Sequence, residues 1–376
     1  MPNVMQNIFQ DIFDFADALG PSKIIHIYDP PTGLKAVLAV DNTACGPAIG
    51  GIRMALDVSA EEAFRLARAM TLKNAAAGLS HGGGKAVIFG DPKMPSAAKE
   101  RLIRTFARAI RDITEYIPGP DMGTNEQCMA WIQDEIGRAV GLPSEIGGIP
   151  LDEVGATGFG LCACVNAAKQ FCNLDLNGAR IVVQGFGSVG KHAAQFLTNQ
   201  GAVLVGAADS HGTLFDPGGI DVAHLIRLKD DGHSVLTYPH GEKLDRNKVI
   251  DIECDIWIPA ARPDVITAEN VSRLKTKLVP EGANIPCTPE AEQILHDRQV
   301  VVVPDFIANA GGVICGAVEY HGGTLATAFQ MIEENIRTNT IRILTQADKT
   351  KTLPRQAAVE LAEQRVRTAM GYRRQM

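Results

Sequence analysis

The 376-residue sequence has no apolar run long enough to cross a bilayer, which takes about 20 residues in succession, so no membrane span is expected. It has no basic stretch either. Its 36 Lys and Arg are scattered and are outnumbered by 43 Asp and Glu, for a net charge of −7. A chain of that sign lacks the positive footprint that holds nucleic acid. Its start, MPNVMQNIFQDIFDFADALG, carries acids where a secretory signal carries a basic segment, so a cytoplasmic protein is expected. The eight cysteines include no C-x-x-C pair and no framework spacing, which predicts buried free thiols. Nine histidines without an H-x-x-x-H pair predict no metal site. Internal repeats and low-complexity segments are also missing.

What is there implies two domains, because the chain is too long for one small core. Val4, Met5, Ile8, Phe9, Ile12, Phe13 and Ala16 recur at helical spacing, predicting an amphipathic packing or subunit-contact helix. Ile24–Tyr28 and Leu34–Val40 flank the turn DPPTG and read as a β-hairpin. A helix is expected over 60–77 after the N-cap Ser59, a strand at KAVIF (85–89), and helices over 97–115 and 124–140. GLPSEIGGIP (141–150) reads as a connector. Beyond it short apolar strands (ARIVVQ, AVLVGAAD, CDIWIPA, TKLVPEG, QVVVVPD) alternate with helices, the pattern of a parallel α/β sheet. From about 308 the chain reads as helical. The expected fold is α/β with one domain over 1–150, a Rossmann-type domain over 151–324, and helices of about 325–376 packing back across the cleft onto the first domain.

VVQGFGSVG places Gly185, Gly187 and Gly190 in G-x-G-x-x-G spacing between an apolar strand and a helix. The first glycine allows the tight turn, the second admits a pyrophosphate, and the third lets helix and strand pack. Phe186, Ser188 and Val189 fill the loop, and free N–H groups at the helix start suit phosphate. Asp209 ends the next strand, where a carboxylate can accept from a ribose 2′-hydroxyl and repel a 2′-phosphate. Ser210 and His211 follow it with no Lys or Arg adjacent, so NAD is favoured over NADP. Ala260 and Ala261, ending a further strand, are placed with the cofactor.

Four stretches join glycines to polar residues: GPAIGGIR (46–53), KNAAAGLSHGGGK (73–85), PDMGTNEQ (120–127) and NAGG (309–312). Glycine lets other atoms approach the backbone closely. Four such stretches beside a dinucleotide fingerprint point to a substrate site rather than to unrelated turns. With EGANIPCTPEA and VVPDFIANAGGVI, in matching order and spacing, they make the chain resemble the glutamate/leucine/phenylalanine/valine dehydrogenases over roughly residues 30–370. KNAAAGL and GGGKAVI look closer to the leucine enzymes; PDMGTNEQ, ATGFG, GTLFDPGGID and EGANIPCTPEA look closer to the glutamate enzymes.

The resemblance implies reversible oxidative deamination of an L-amino acid to a 2-oxo acid and ammonia, with hydride passing to NAD. It implies a homo-oligomer and makes the first domain the substrate-binding and oligomerisation domain. Lys73 matches the lysine that pairs with the substrate α-carboxylate. Lys85 matches the catalytic lysine, whose pKa a neighbouring cation and desolvation would lower, and Asp121 matches the proton-shuttling carboxylate. Thr157, Asn284 and Asn309 match residues lining the cofactor and substrate side of the cleft. Asn125 reads equally as a site residue or a helix cap.

In the glutamate enzymes a lysine precedes the GG-x-R motif and a serine follows the NAGG asparagine by seven positions, both on the side-chain carboxylate. Ile49 and Gly316 stand there in this chain. Burying that carboxylate without partners forfeits about 3–5 kcal/mol. The expected pocket wall is Ile49, Gly82, Gly119, Val313 and Gly316, with Gly50 and Gly51 beside the substrate, and Gly119 and Gly316 imply room for a large side chain. A hydrophobic branched-chain or aromatic substrate is expected. A small branched substrate, glutamate, or a non-catalytic amino-acid- or nucleotide-binding paralogue stay open as alternatives.

Overall fold

Alternate residues of Leu34–Asn42 enter two different apolar clusters. Leu34, Ala36, Leu38 and Val40 join one; Val37 and Ala39 join the other. A strand buried on both faces requires a layer on each side. The computed structural model describes residues 16–373, so the helix expected at the N-terminus lies outside the described residues. The chain divides into two units, one of residues up to 150 with 316–325 and 362 onward, the other of 151–315 with 326–361.

In the first unit β1 (Lys23–Asp29), β2 (Leu34–Asn42), β3 (Ala48–Ala55), β4 (Gly82–Phe89) and β5 (Tyr116–Pro120) form a sheet in the order β1-β2-β4-β3-β5. The expected hairpin is β1–β2; β2 and β4 are antiparallel, and β3 runs parallel to both β4 and β5. Helix α1 (Ala60–Ala76) covers one face with Ala63 and Ala67, while α2 (Ser96–Ala109) and α3 (Glu126–Ile136) cover the other with Phe106, Met129 and Ile132. Ser59 Oγ accepts from the Glu62 N–H at 3.1 Å and Asn125 Oδ1 from the Cys128 N–H at 3.2 Å. Of its two readings, Asn125 takes that of the cap. Sequence inspection misses β3 and β5. AIGGIRMA and YIPGP are glycine-rich or short and almost continuously buried, so neither alternation nor β-propensity marks them. The helices expected to reach 115 and 140 end at Ala109 and Ile136, the second because Gly137 turns left-handed at φ 70°.

The second unit begins with α4 (Ala156–Ala168), β6 (Arg180–Gln184), α5 (Ser188–Thr198), β7 (Val203–Ala208), β8 (Thr213–Phe215) and α6 (Val222–Asp230). It continues through β9 (Glu242–Leu244), β10 (Ile256–Pro259), β11 (Leu278–Pro280), α7 (Pro289–Asp297), β12 (Val301–Val303) and α8 (Asp305–Ala308). The sheet order is β12-β11-β10-β6-β7-β8-β9, parallel from β12 to β7 and antiparallel in β8 and β9. Connections leave β6 in opposite directions, toward β7 and later toward β10, which opens a crevice at its carboxyl end. This is the doubly wound arrangement that the alternating pattern implies.

Three helices complete the chain: α9 (Gly311–Tyr320), α10 (Leu325–Thr350) and α11 (Pro354–Gly371). Residues 326–361 group with the second unit, and 316–325 and 362 onward with the first, where the expected grouping put all of 325–376 with 1–150. The reason is apolar packing. Phe329 lies 4.5 Å from the Phe159 ring, and Ile336 Cδ1 lies 2.7 Å from where a Cβ on Gly160 would be. None of the eight cysteines is in a disulfide. Among the described residues no helix is long and apolar enough to cross a membrane, and no group of three or more His, Cys, Asp or Glu could hold a metal ion.

Candidate active site

Lys85 lies in the middle of β4, opposite Ala39 of β2. Asp121 directly follows β5, two residues beyond the Gly51–Gly119 register pair. Parallel pairing of β3 with both neighbours therefore brings β4 and β5 to the same place. Lys85 Nζ is 2.6 Å from Asp121 Oδ2, and Arg53 Nε of β3 reaches the same oxygen at 3.2 Å. Arg53 Nη1 also holds Glu62 Oε1 of α1 at 2.6 Å. The turn bearing Asp121 is pinned to β3: Thr124 Oγ donates to the Ile52 carbonyl at 2.8 Å and accepts from the Asp121 N–H at 3.0 Å. Gly51 is required here, since a Cβ would sit 2.7 Å from Asp121 Cβ and 3.2 Å from Lys85 Nζ.

Burial lowers the Lys85 pKa below the usual lysine value and Arg53 adds to the effect, while Asp121 and Glu62 oppose it. Burial raises Asp121, but the charge and hydrogen bond of Lys85, with Arg53, outweigh it and leave the carboxyl below its ordinary range. The pair thus holds a firm carboxylate beside an ammonium that loses its proton easily. The cation that helps lower Lys85 is Arg53, which sequence inspection reads only as part of a glycine motif.

Lys73 stands half-buried in the last turn of α1. Its neighbour Asn74 fastens α1 to the sheet by donating to the Gly82 carbonyl at 2.7 Å. Three glycines between the two lysines are required by this packing. A Cβ on Gly82 would strike the Asn42 carbonyl (1.8 Å), one on Gly83 the Thr71 backbone (2.0 Å), and one on Gly84 the Tyr116 ring (2.9 Å). Gly50 likewise faces the Gly84 carbonyl at 1.6 Å. Gly82 and Gly50 are therefore places where backbones meet.

Of the expected pocket wall, Ile49 is buried in β3, and Gly119 and Gly316 face one unforeseen side chain. A Cβ on Gly119 would lie 3.1 Å from Val140 Cγ2 and one on Gly316 3.6 Å from it. Val140 thus fills part of the room that the two glycines imply. Val313 precedes Gly316 by one helical turn on α9. The buried Cys315 between them has no solvent-exposed sulfur chemistry to offer.

In the second unit Asn309 Nδ2 donates to Asn284 Oδ1 at 3.0 Å and to the Gly282 carbonyl at 3.3 Å. Thr157 Oγ1 lies 3.2 Å from where a Cβ on Gly312 would be. The crevice beyond β6 is a groove of about 790 Å³, within the ~300–1,000 Å³ usual for ligand sites. Gly185, Phe186, Gly187, Asp209, Ser210, Ala260 and Ala261 line it. Gly185 takes φ 99°, and a Cβ there would strike Ala261; one on Gly190 would lie 2.1 Å from the Gly185 carbonyl. Beside Gly187 nothing comes within 4 Å, the open side that a pyrophosphate needs, and no side chain caps α5. Ser188 Oγ is taken by the Asp152 carbonyl at 3.0 Å, and Val189 packs by Gly282, so these two offer backbone rather than side chains. These features fit a dinucleotide.

Asp209 departs from expectation. Its Oδ2 accepts from Lys229 Nζ (2.8 Å) and the Val235 N–H (2.9 Å), and its Oδ1 from Ser234 Oγ (3.1 Å) and the His211 N–H (2.9 Å). Folding supplies the cation that sequence proximity does not, and it occupies the oxygens expected to meet the ribose.

Residues 147–374 match the Glutamate/Leucine/Phenylalanine/Valine dehydrogenase family, and residues 21–138 match the Glu/Leu/Phe/Val dehydrogenase dimerisation domain. The chain is 37% identical over 355 residues to an NADP-specific glutamate dehydrogenase of Saccharolobus shibatae, covering 88% of this chain and 83% of that one. It is 38% identical over 295 residues to an NAD-specific glutamate dehydrogenase of Staphylococcus aureus, covering 75% and 71%. Among solved structures, the hetero-hexameric glutamate dehydrogenase of Thermus thermophilus in a Leu-bound form superposes with TM-score 0.82 at 27% identity, covering 98% and 96%. These names point to glutamate rather than to the hydrophobic substrate expected from the pocket wall. With a two-domain α/β fold, a glycine fingerprint beyond β6 and a paired Lys85 and Asp121, the chain belongs to the glutamate/leucine/phenylalanine/valine dehydrogenase family.

Proposed function

We propose that this protein is an L-amino acid dehydrogenase that works with NAD, releasing ammonia and a 2-oxo acid reversibly. The observation that carries the reading is the pairing of buried Lys85 with Asp121, 2.6 Å apart with Arg53 on the same oxygen. When bound, NAD supplies the hydride acceptor; Gly185, Gly187 and the start of α5 would hold its phosphates. Asp121, kept anionic by two cations, attracts the substrate ammonium and carries protons to and from its nitrogen. Lys85, with its lowered pKa, takes a proton from the water that adds to the substrate carbon and returns it in the reverse direction. Lys73 would hold the α-carboxylate by a charge-assisted hydrogen bond. The dimerisation-domain match over 21–138 supports a homo-oligomer.

Two readings of the substrate side chain differ in what supports them. Relatives' names favour glutamate. The wall of Ile49, Gly119, Val140 and Gly316 favours an apolar side chain, since it carries no cation or hydroxyl for a second carboxylate. The test is NADH formation with each of the twenty amino acids. Highest kcat/KM on an apolar amino acid supports the second reading, and highest kcat/KM on glutamate supports the first. In the apolar case Val140→Ala shifts preference toward bulkier side chains by about tenfold, at ~0.8 kcal/mol per methylene accommodated.

A further inference from the structure

Lys73 sits in the last turn of α1, so whatever holds that turn sets where its ammonium stands. A helix leaves its last carbonyls without partners inside the helix. Gly78 closes α1 in a left-handed conformation at φ 78°, and the Leu79 N–H returns to the Asn74 carbonyl at 3.0 Å. Leu79 is buried, and a buried carbonyl needs a donor. Among the described residues that donor is Arg365 of α11, whose Nη2 reaches the Leu79 carbonyl at 2.8 Å. Arg365 Nη1 donates to the Ala75 carbonyl at 2.9 Å. One planar fork thus holds both the last turn of α1 and the chain leaving it.

The packed face of α11 brings Arg365 to this place. Ala358, Ala362 and Val366 are buried at four-residue spacing, and Arg365 adjoins Val366 and is half-buried. From Ala362 onward α11 belongs to the first unit, as α1 does. The nearby Arg367 pairs with Glu363 of its own helix at 3.2 Å. Arg365 instead has no carboxylate partner among the described residues and donates to main-chain carbonyls. The other end of the segment leaving α1 is held separately. The Gly82 N–H donates to the Gly46 and Pro47 carbonyls, each at 3.1 Å, and His81 Nδ1 lies 3.1 Å from the Pro47 carbonyl. The segment that joins Lys73 to Lys85 is therefore fixed at both ends, and Arg365 fixes the end that carries Lys73.

We propose that Arg365 is a positioning residue for substrate binding, whose fork fixes the last turn of α1 so that Lys73 meets the substrate α-carboxylate at a set place relative to Lys85. This rests on the dehydrogenase reading given above, in which Lys73 holds that carboxylate. Arginine suits the task because its guanidinium is planar and always charged, and a cation is favoured at the carboxyl end of a helix. A lysine keeps the charge but not the rigid fork.

Steady-state kinetics with NAD⁺ and the amino acid that wild type turns over best test the proposal. The α-carboxylate does not react, so misplacing its partner weakens ground state and transition state alike. In Arg365→Met the KM for the amino acid is expected to rise about tenfold with kcat changed by less than about threefold, and calorimetric Kd for NAD⁺ is expected to stay within about twofold. Loss of folded enzyme alone lowers the apparent kcat and leaves KM where it was. Arg365→Lys is expected to raise KM by about threefold, an intermediate effect. The double variant Lys73→Met/Arg365→Met shows the route: with Lys73 gone, removing Arg365 is expected to change KM by no more than about twofold relative to Lys73→Met. An unchanged KM in Arg365→Met, or a tenfold further rise in the double variant, overturns the proposal. If Arg365→Met does not fold, an unchanged KM in Arg365→Lys overturns it. Those results with an active wild type refute the positioning role alone, whereas a wild type that turns over no amino acid refutes the dehydrogenase reading and the proposal with it.

Discussion

Lys85→Met lowers amino-acid turnover by about 10²- to 10⁴-fold, the range over which a positioned proton-transfer group acts. The change leaves Asp121 with Arg53, so no buried carboxylate is orphaned, and the protein is expected to fold and to bind nucleotide as before. Its pH dependence identifies the group. In the proposed role Lys85 acts as a base when neutral, and burial lowers its pKa below the lysine value of 10.5. In wild type kcat/KM for deamination therefore rises with pH through a limb below that value and then levels. The limb vanishes in Lys85→Met. Asp121→Asn removes the charge that opposes the lowering, so its limb moves to lower pH while the rate falls. Activity within tenfold of wild type in Lys85→Met, at any pH, contradicts the assigned role.

Arg355→Met destabilises the second unit by about 3–5 kcal/mol, as expected for removing the partner of buried charges. Arg355, at the start of α11, is the hub of a cluster. Nε holds Glu292 at 2.6 Å, Nη1 holds Asp305 at 2.8 Å and Nη2 holds Glu281 at 2.7 Å. Glu281 Oε2 also accepts from the Asp305 N–H (2.9 Å), and Asp305 Oδ2 from the Ile285 N–H (2.9 Å). One arginine thus supports the loop that carries Asn284. Burial pushes the Glu281 pKa to about 8, with Asp305 and Glu292 adding to the rise and Arg355 opposing it. The folded state therefore keeps a proton that the unfolded chain loses near 4.5. Stability from this source is full below that pH and is lost as pH rises toward about 8. Thermal unfolding of Arg355→Met is expected to show a larger loss at the alkaline end of this window than at the acid end. Glu281→Gln is expected to flatten the wild-type decline. Equal destabilisation of Arg355→Met at both ends contradicts the electrostatic account.

Much of the chemistry was legible because it is local in sequence. The glycine fingerprint sits between a strand and a helix, and both positions fall where expected. Lys85 and Asp121 stand in short motifs, and the structure joins them. Harder to read were β3 and β5, whose glycines and continuous burial erase the two-residue period. The glycines between Lys73 and Lys85 were legible as close approaches, but not what approaches. A missing Cβ tells of space needed, and only the neighbouring backbones reveal that Thr71 and Asn42 take it.

By itself the sequence determined the class of fold and the candidate reactive groups, since periodicity and motif spacing act over a few residues. Tertiary structure alone decided how those groups are partnered. Arg53 shares the oxygen of Asp121 with Lys85, Val140 meets both Gly119 and Gly316, Lys229 reaches back 20 residues to Asp209, and Arg355 reaches back 50 to 74 residues to its three carboxylates. No local pattern encodes such pairings. They arise where sheet order and helix packing bring distant side chains to one place, and there burial and charge set what each can do.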